Sequence, residues 1–333
     1  MSESILVSGQ YLDAYESGID RLSVSEHPSE LLAAVASRLI NGAEQSELDQ
    51  LRYASKLAVE AAGYKSDLTD ATIRDAGILQ QMEEKNIFEK EVGGLQIIDL
   101  GSFVVTHFAL RGLRPPGTAT EIIKNTEEPY DPTKFNYTKI ISETILEYND
   151  GKSIVNVVPN KFPFAKWHGL WVPRIDQKLP QRLRQREHEE VLEQISGAPE
   201  GYLIGFNGRG AYSSVNHTHF HVMKDDTRVP AIDMQEDYPA ERVVFDHGPE
   251  SMQLVEELYA RNIPISVLYT PSNVIIFPRE FQGKDGKPEW SSGFGVHEMS
   301  GVVPITNESH FNSVTDHDVA QALAGASREL VKV

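Results

Sequence analysis

The chain has 333 residues, of which 40% are hydrophobic, so it can bury one large core or two smaller ones. Its formal net charge of −18 argues against non-specific binding to nucleic acid or anionic membranes, and the lack of cysteine excludes disulfides, thiol catalysis and cysteine-bound zinc. Because the sequence shows neither a long apolar run nor a signal-like start, we expect a cytoplasmic protein without a membrane partner.

The first ninety residues have the pattern of helices. Apolar side chains recur at helical spacing over residues 31–40, after Pro28 and before the Asn41-Gly42 stop. A second helix is predicted over 47–62, capped by Ser46 with Asp49, and a third from Thr69 to near residue 85. No residue in this segment indicates chemistry, so we interpret it as a packing or oligomerisation layer, and a homodimer could form.

From about residue 95 the pattern changes to short strands separated by glycine, proline and asparagine. Helices are predicted near 183–195, over 249–261 and, capped at its start, over 315–330. Two strand–turn–strand stretches end in Pro173-Arg174 and Pro278-Arg279, which indicates two related halves. The predicted fold class is therefore α+β.

The most informative stretch is Asn216-His217-Thr218-His219-Phe220-His221. Side chains of a strand alternate between its faces, so His217, His219 and His221 are predicted to line one face. Three buried neutral imidazoles would need three sets of hydrogen-bond partners, so a purely structural row is a poor explanation.

Two kinds of chemistry use such a row. One is a metal site, completed by His168, His247, Asp246 or His297. The other is a nucleophilic imidazole that attacks phosphorus, held by an acceptor on its other ring nitrogen and flanked by donors to the phosphate oxygens. A glycine-rich turn over 207–211, directly before the row, favours phosphate.

The sequence resembles the histidine-triad and galactose-1-phosphate uridylyltransferase superfamily, and within it the GDP-hexose phosphorylases that act on GDP-L-galactose or GDP-D-glucose. The resemblance covers about residues 113–330 and is carried, in the family's order, by segments 130–139, 168–174, 179–182, 210–220 and 297–301. It implies two antiparallel-sheet halves with packed helices. The predicted organisation is a helical segment over 1–95, a catalytic half over 96–245 and a degenerate second half over 246–333.

The resemblance also implies the roles of individual residues. His219 would be the nucleophile that carries the nucleoside monophosphate, with His217 and Ser214 at the α-phosphate and His221 completing the row. The implied substrate-binding residues are Asn207, Gly210, Lys134, Asn136, Arg174, Arg182 and Glu298. Of these, Arg174 and Arg182 would hold the phosphate of the acceptor or of the leaving sugar phosphate, and Glu298 would come from the second half. Ser214 faces away from His217 in a regular strand, so it reaches the site only if the chain bends there.

The predicted function is nucleotidyl transfer from a nucleoside-diphosphate sugar through a covalent nucleotidyl-histidine, with phosphate or a sugar phosphate as the acceptor. Two departures from the phosphorylases bear on this. His221 stands where they usually have glutamine and the histidine-triad hydrolases have histidine, and His297 stands where they tend to have tryptophan. A nucleotide or dinucleoside-polyphosphate hydrolase or phosphorylase, a metal-dependent enzyme and a non-catalytic nucleotide sensor remain alternatives. No cofactor is required by this chemistry, although Mg²⁺ could assist by screening phosphate charge.

Overall fold

The computed structural model describes residues 4–64, 68–90, 94–115, 121–149, 153–233, 237–283 and 287–330. The helices are α1 (Gln10–Ser23), α2 (Pro28–Asn41), α3 (Gln45–Ala62), α4 (Asp70–Glu84), α5 (Ile87–Lys90), α6 (Gln185–Ile195), α7 (Pro230–Asp233), α8 (Glu250–Ala260), α9 (Val296–Met299), α10 (Glu308–Phe311) and α11 (Asp316–Ala326). The strands are β1 (Gln96–Asp99), β2 (Val104–His107), β3 (Leu146–Asn149), β4 (Ile154–Pro159), β5 (Gly169–Pro173), β6 (Tyr202–Asn207), β7 (Phe220–Lys224), β8 (Val243–Asp246), β9 (Ile265–Tyr269), β10 (Asn273–Pro278) and β11 (Val302–Ile305). Within these ranges no helix is long and apolar enough to cross a membrane.

One antiparallel sheet runs through most of the molecule, in the strand order β3-β4-β5-β7-β6-β9-β10-β8. Two helix–strand–strand units, α6–β6–β7 and α8–β9–β10, meet where β6 pairs with β9 at the centre of this sheet. A small second sheet has the order β1-β2-β11, in which β11 lies parallel to β2. The predicted α+β class with antiparallel sheets and N-terminal helices is confirmed.

The two halves share one continuous sheet. Strand β8 crosses the boundary predicted at residue 245 and pairs with β10. The central strands β6, β9 and β10 are buried on both faces, which explains why their sequences are almost continuously apolar rather than alternating. The division into three segments stays a prediction.

The large sheet is packed on both faces, and His221 of the histidine row lies on the face opposite helices α1, α6 and α8. Helices α1, α6 and α8 pack on the first face around Trp171, Phe206 and Phe220. The small sheet and helices α9 and α11 pack on the opposite face, against Leu203, Leu268 and other side chains of the same strands. Because strand side chains alternate, the histidine at position 221 faces this second layer while its neighbour Phe220 joins the helical side.

The helical N-terminal layer agrees with the sequence pattern in most details. Helix α2 begins at Pro28 and ends before Gly42, whose positive φ suits glycine at a helix C-terminus. Thr69 caps α4, and Thr315 forms a capping box with Asp318 at the start of α11. The Ser46 cap was wrong, because α3 begins at Gln45 with no side-chain cap.

Candidate active site

The histidine row lies at the entry to β7. The strand begins only at Phe220, so His221 is within it while His217 and His219 belong to the extended segment before it. This differs from the regular strand predicted for the whole row. All three side chains nevertheless gather in one place: the rings of His219 and His221 are 5.5 Å apart, and Tyr137 contacts both His217 and His219.

The ring of His219 is oriented by its own backbone. Its Nδ1 lies 2.8 Å from the carbonyl oxygen of His217. A carbonyl only accepts, so Nδ1 carries the proton and Nε2 keeps a free lone pair. Burial lowers the pKa of His219 to about 4, with an opposing effect from that carbonyl. At neutral pH the ring is therefore uncharged, as the predicted nucleophile needs to be.

His217 presents the opposite tautomer. Its Nδ1 accepts a hydrogen bond from the backbone N–H of Tyr137 at 3.3 Å, so the proton lies on Nε2. That Nε2 is buried and has no hydrogen-bond partner among the described residues. Burial lowers the pKa of His217 to about 4, and the neighbouring His219 adds to the effect. His217 therefore presents a neutral Nε2–H group that has no acceptor among the described residues. Such a group can donate to an anionic oxygen of a ligand.

His221 is oriented by His168. The backbone N–H of Phe164 donates to His168 Nδ1 at 3.4 Å, which leaves the proton of His168 on Nε2, 3.0 Å from His221 Nδ1. The amide nitrogen of Asn160 also approaches His168 Nε2, but at the longer distance of 3.3 Å, so we assign the proton to the bond with His221. His221 therefore carries its own proton on Nε2. Burial lowers the pKa of His168 and of His221 well below the usual range, so both rings are neutral.

A buried glutamine holds the backbone of His219 in place. The Oε1 of Gln181 accepts the backbone N–H of His219 at 3.0 Å, and its Nε2 donates to the carbonyl of Asn207 at 2.7 Å and to that of His219 at 3.3 Å. Gln181 lies in one of the segments that carry the family resemblance, but the sequence alone indicated no role for it. Tyr137 was missed in the same way, although it directly follows the predicted Asn136.

Asn207 and Glu298 come together from the two halves. Asn207 ends β6 and accepts a hydrogen bond from Ser266 at 2.9 Å. A side chain on Gly295 would come within 3.0 Å of Asn207 Nδ2 and 3.2 Å of Glu298 Oε2, so both groups lie directly against this glycine. Burial raises the pKa of Glu298, against the opposing charge of Arg111. Gly210 has a φ of +84° in the turn after β6, which a side chain would strain.

The other predicted binding residues are placed differently. Ser214 is half-buried and accepts a hydrogen bond from Arg114 at 3.3 Å, and its place at the α-phosphate stays a prediction. Lys134 is exposed and pairs with Glu128 at 3.4 Å. Asn136 is buried, but its amide bonds to its own turn, at Lys134 and Thr138. The structure does not bring Lys134 or Asn136 into contact with the histidines.

The phosphate role predicted for Arg174 and Arg182 is not supported by their contacts. The buried guanidinium of Arg174 is bound by Glu187 and Glu190 of α6. Carboxylates also hold Arg182, which pairs with Glu127 and Glu256 and stacks on the ring of Tyr259. Paired charges of this kind stabilise local structure and have little positive potential left for a substrate.

We expect Arg174→Met to destabilise the fold by about 3–5 kcal/mol, because it removes the cation that pairs with the buried Glu187 and leaves the buried Glu190 with the half-exposed Arg186. Arg186→Met is the matched control: Arg186 is half-exposed and pairs with the same Glu190, so its loss should cost about 1 kcal/mol or less. Urea unfolding of both variants measures the difference. An unchanged unfolding midpoint in Arg174→Met, together with weaker phosphate use, would restore the phosphate role.

The metal alternative is not supported by the way the histidine side chains are arranged. Among the described residues, no group of three or more histidine, aspartate or glutamate side chains is placed to hold a metal ion. Each histidine of the row instead uses its Nδ1 for a hydrogen bond within the protein. In the row, the Nε2 of His219 keeps a lone pair, while the Nε2 atoms of His217 and His221 carry protons. This arrangement suits attack on phosphorus.

The chain is similar to known proteins of one family. Residues 101–223 match the family described as GDPGP1-like, N-terminal domain. GDP-L-galactose phosphorylase 2 of Arabidopsis thaliana is 24% identical over 60% of this chain and 59% of its own length. GDP-D-glucose phosphorylase 1 of Homo sapiens is 26% identical over 61% of this chain and 64% of its own. The resemblance to GDP-hexose phosphorylases is confirmed, and the chain spans about three fifths of the length of these curated relatives.

Among solved structures, the chain is similar to yeast Ap4A phosphorylase in complex with Ap4A. The TM-score is 0.48 and the sequence identity is 17%, over 70% of this chain and 88% of that one.

Proposed function

We propose that this chain, whose residues 101–223 match a GDPGP1-like N-terminal domain, is a nucleotidyltransferase of the phosphorylase type that acts on a GDP-hexose or a similar nucleoside-diphosphate sugar. The observation that carries the proposal is the tautomer of His219. Its Nδ1 is committed to the carbonyl of His217, so Nε2 is unprotonated and nucleophilic at neutral pH.

In the first half-reaction, His219 Nε2 attacks the α-phosphorus of the nucleotide sugar. A P–N bond forms, the bond from the α-phosphorus to the bridging oxygen breaks, and the sugar phosphate leaves. The ring becomes cationic at this stage and the carbonyl of His217 stabilises the Nδ1 proton. The Nε2–H groups of His217 and His221 are the donors to the non-bridging oxygens, where negative charge accumulates.

In the second half-reaction, an oxygen of inorganic phosphate attacks the nucleotidyl-histidine. The P–N bond breaks, a nucleoside diphosphate leaves, and His219 returns to its neutral form. The names of the relatives favour phosphate as the acceptor. Water in the same position would give the nucleoside monophosphate, which is the hydrolase alternative raised by His221.

Product analysis with and without phosphate tests the proposal. The purified chain is incubated with GDP-, ADP- and UDP-hexoses, and nucleotides are separated by chromatography. We expect one base to be preferred, with a nucleoside diphosphate and a hexose 1-phosphate formed only when phosphate is present. Nucleoside monophosphate formed at the same rate without phosphate would identify a hydrolase, and no product from any donor would contradict both activities.

The first half-reaction should be insensitive to pH between about 8 and 6. Burial lowers the pKa of His219 to about 4, so the nucleophile stays neutral through this range and is lost only as the pH falls below about 5. An exposed histidine, with a pKa near 6.5, would already be mostly protonated at pH 6. The rate of nucleotidyl-enzyme formation, measured in single turnover without phosphate, avoids the titration of the acceptor. A midpoint near 6.5 would contradict a buried neutral nucleophile.

A cytoplasmic location, a homodimer and assistance by Mg²⁺ remain predictions. So does the absence of nucleic-acid and membrane partners, which rests on the net charge of −18.

A further inference from the structure

Three arginines whose charges interact with Glu298 have no carboxylate within ion-pair distance among the described residues: Arg111, Arg114 and Arg279. Arg111 donates to the carbonyl of Phe162 at 2.8 Å and to Ser292 at 3.4 Å. Arg279 donates to Ser266 and to the carbonyl of Ala326. All these partners are uncharged, so none of them neutralises a guanidinium.

Burial of a guanidinium group among uncharged partners costs free energy. Arg111 and Arg279 are buried, and each retains one N–H group without a hydrogen-bond partner among the described residues, Nε of Arg111 and Nη2 of Arg279. Burial lowers the pKa of both to about 10, so both are still charged at neutral pH. A buried charge is destabilising unless it is paired, and the single carboxylate of Glu298 can offset at most one of these guanidinium charges.

The local charge matches a particular kind of ligand. Glu298 is a carboxylate whose charge acts on all three guanidinium groups. Three cations and one anion leave a formal excess of two positive charges. A phosphate dianion would neutralise this excess.

Position links two of the three arginines to the reacting atoms. Arg114 is exposed, and its guanidinium donates to Ser214, three residues before His217. Arg111 lies over the ring of Phe164, 5.1 Å from its centre, and the same ring is 5.5 Å from that of His221. Arg111 and Arg114 are also close enough for each charge to lower the pKa of His221. The charges of both arginines therefore act on His221, one of the two proposed donors to the phosphate oxygens.

We propose that Arg111 and Arg114 form the subsite for the second phosphate of the reaction, the group that leaves as a sugar phosphate and the inorganic phosphate that replaces it. The place of this subsite in the reaction rests on the proposed function. The binding of an anion follows instead from the charges of the arginines. In this proposal, Arg111 and Arg114 bind the phosphate that the family resemblance implied for Arg174 and Arg182. The sequence around Arg111 did not indicate a phosphate site, because it is typical of a linker.

Phosphate binding without turnover tests the subsite. The full chain is titrated with inorganic phosphate, and separately with glucose 1-phosphate, by ³¹P NMR. In the His219→Ala background no nucleotidyl-enzyme can form, so only binding is measured. We expect both ligands to bind, and Arg114→Gln and Arg111→Lys each to weaken binding about tenfold or more, because a charge-assisted contact is lost or its fork geometry is changed. The exposed Arg114 can be replaced without disturbing the core, and circular dichroism checks that the Arg111 variant is folded.

The matched control is Arg182→Gln, which removes an arginine already paired with carboxylates and should leave phosphate binding within twofold. Equal phosphate binding by wild type and Arg114→Gln would overturn the subsite, as would a loss confined to Arg182→Gln. Turnover with normal phosphate dependence in both arginine variants would overturn the subsite while leaving the proposed function intact. Arginine-dependent phosphate binding in a chain that never forms a nucleotidyl-enzyme would support the subsite and refute the function.

Discussion

His219→Ala should abolish the covalent intermediate and reduce turnover by about 10⁴-fold or more, because His219 is the member of the described histidine row whose Nε2 carries no proton. The Nε2 atoms of His217 and His221 both carry protons and act as donors. Neither can replace His219 without a change of tautomer that breaks its bond to Tyr137 or His168. Intact-protein mass spectrometry after a brief incubation with the preferred nucleotide sugar measures the adduct, which should be acid-labile and correspond to one nucleoside monophosphate.

His27→Ala is a matched control for this loss, since His27 is an exposed histidine at the start of α2. It should form the adduct at the wild-type rate. An adduct that persists in His219→Ala, or one that peptide mapping places on His217 or His221, would reassign the nucleophile. Loss of turnover with an unchanged adduct would mean that the labelled residue lies off the reaction path.

The sequence predicts this centre well where the signal is local. Three histidines at a spacing of two residues are brought together even though β7 starts only at Phe220, because an extended segment keeps the same alternation. Helix ends such as Gly42 and Thr315 follow from the same kind of short-range preference. Such signals depend on neighbouring residues alone.

Prediction fails where long-range pairing decides the outcome. A phosphate role was predicted for Arg174 and Arg182, but Arg174 bonds to Glu187 and Glu190, and Arg182 pairs with Glu127 and Glu256. The arginines proposed for the second phosphate, Arg111 and Arg114, have no carboxylate within ion-pair distance among the described residues, and they lie in a segment without any periodic pattern. A cation can be called free only when its surroundings in three dimensions are known.

Gln181→Leu should lower kcat about 100-fold while the KM for the nucleotide sugar changes little. Leucine has a similar size but cannot hold the backbone N–H of His219 or the carbonyl of Asn207, and both would be left buried without partners. A displacement of the nucleophile by about 1 Å is enough for a 100-fold loss of rate. Single-turnover formation of the nucleotidyl-enzyme measures the step affected. Gln181→Glu keeps an acceptor for His219 N–H and should retain more activity than the leucine variant.

A purely structural glutamine would behave differently, and the chain contains one for comparison. Gln194 is also buried and accepts the backbone N–H of Ile5 at 3.1 Å, on the helical side of the sheet. Gln194→Leu should lower the unfolding midpoint about as much as Gln181→Leu, yet leave kcat unchanged in the folded protein. If both leucine variants lose stability and neither loses kcat, Gln181 supports only the fold. If Gln181→Leu alone slows adduct formation, and the pH profile of that step keeps its shape, Gln181 positions His219 for attack.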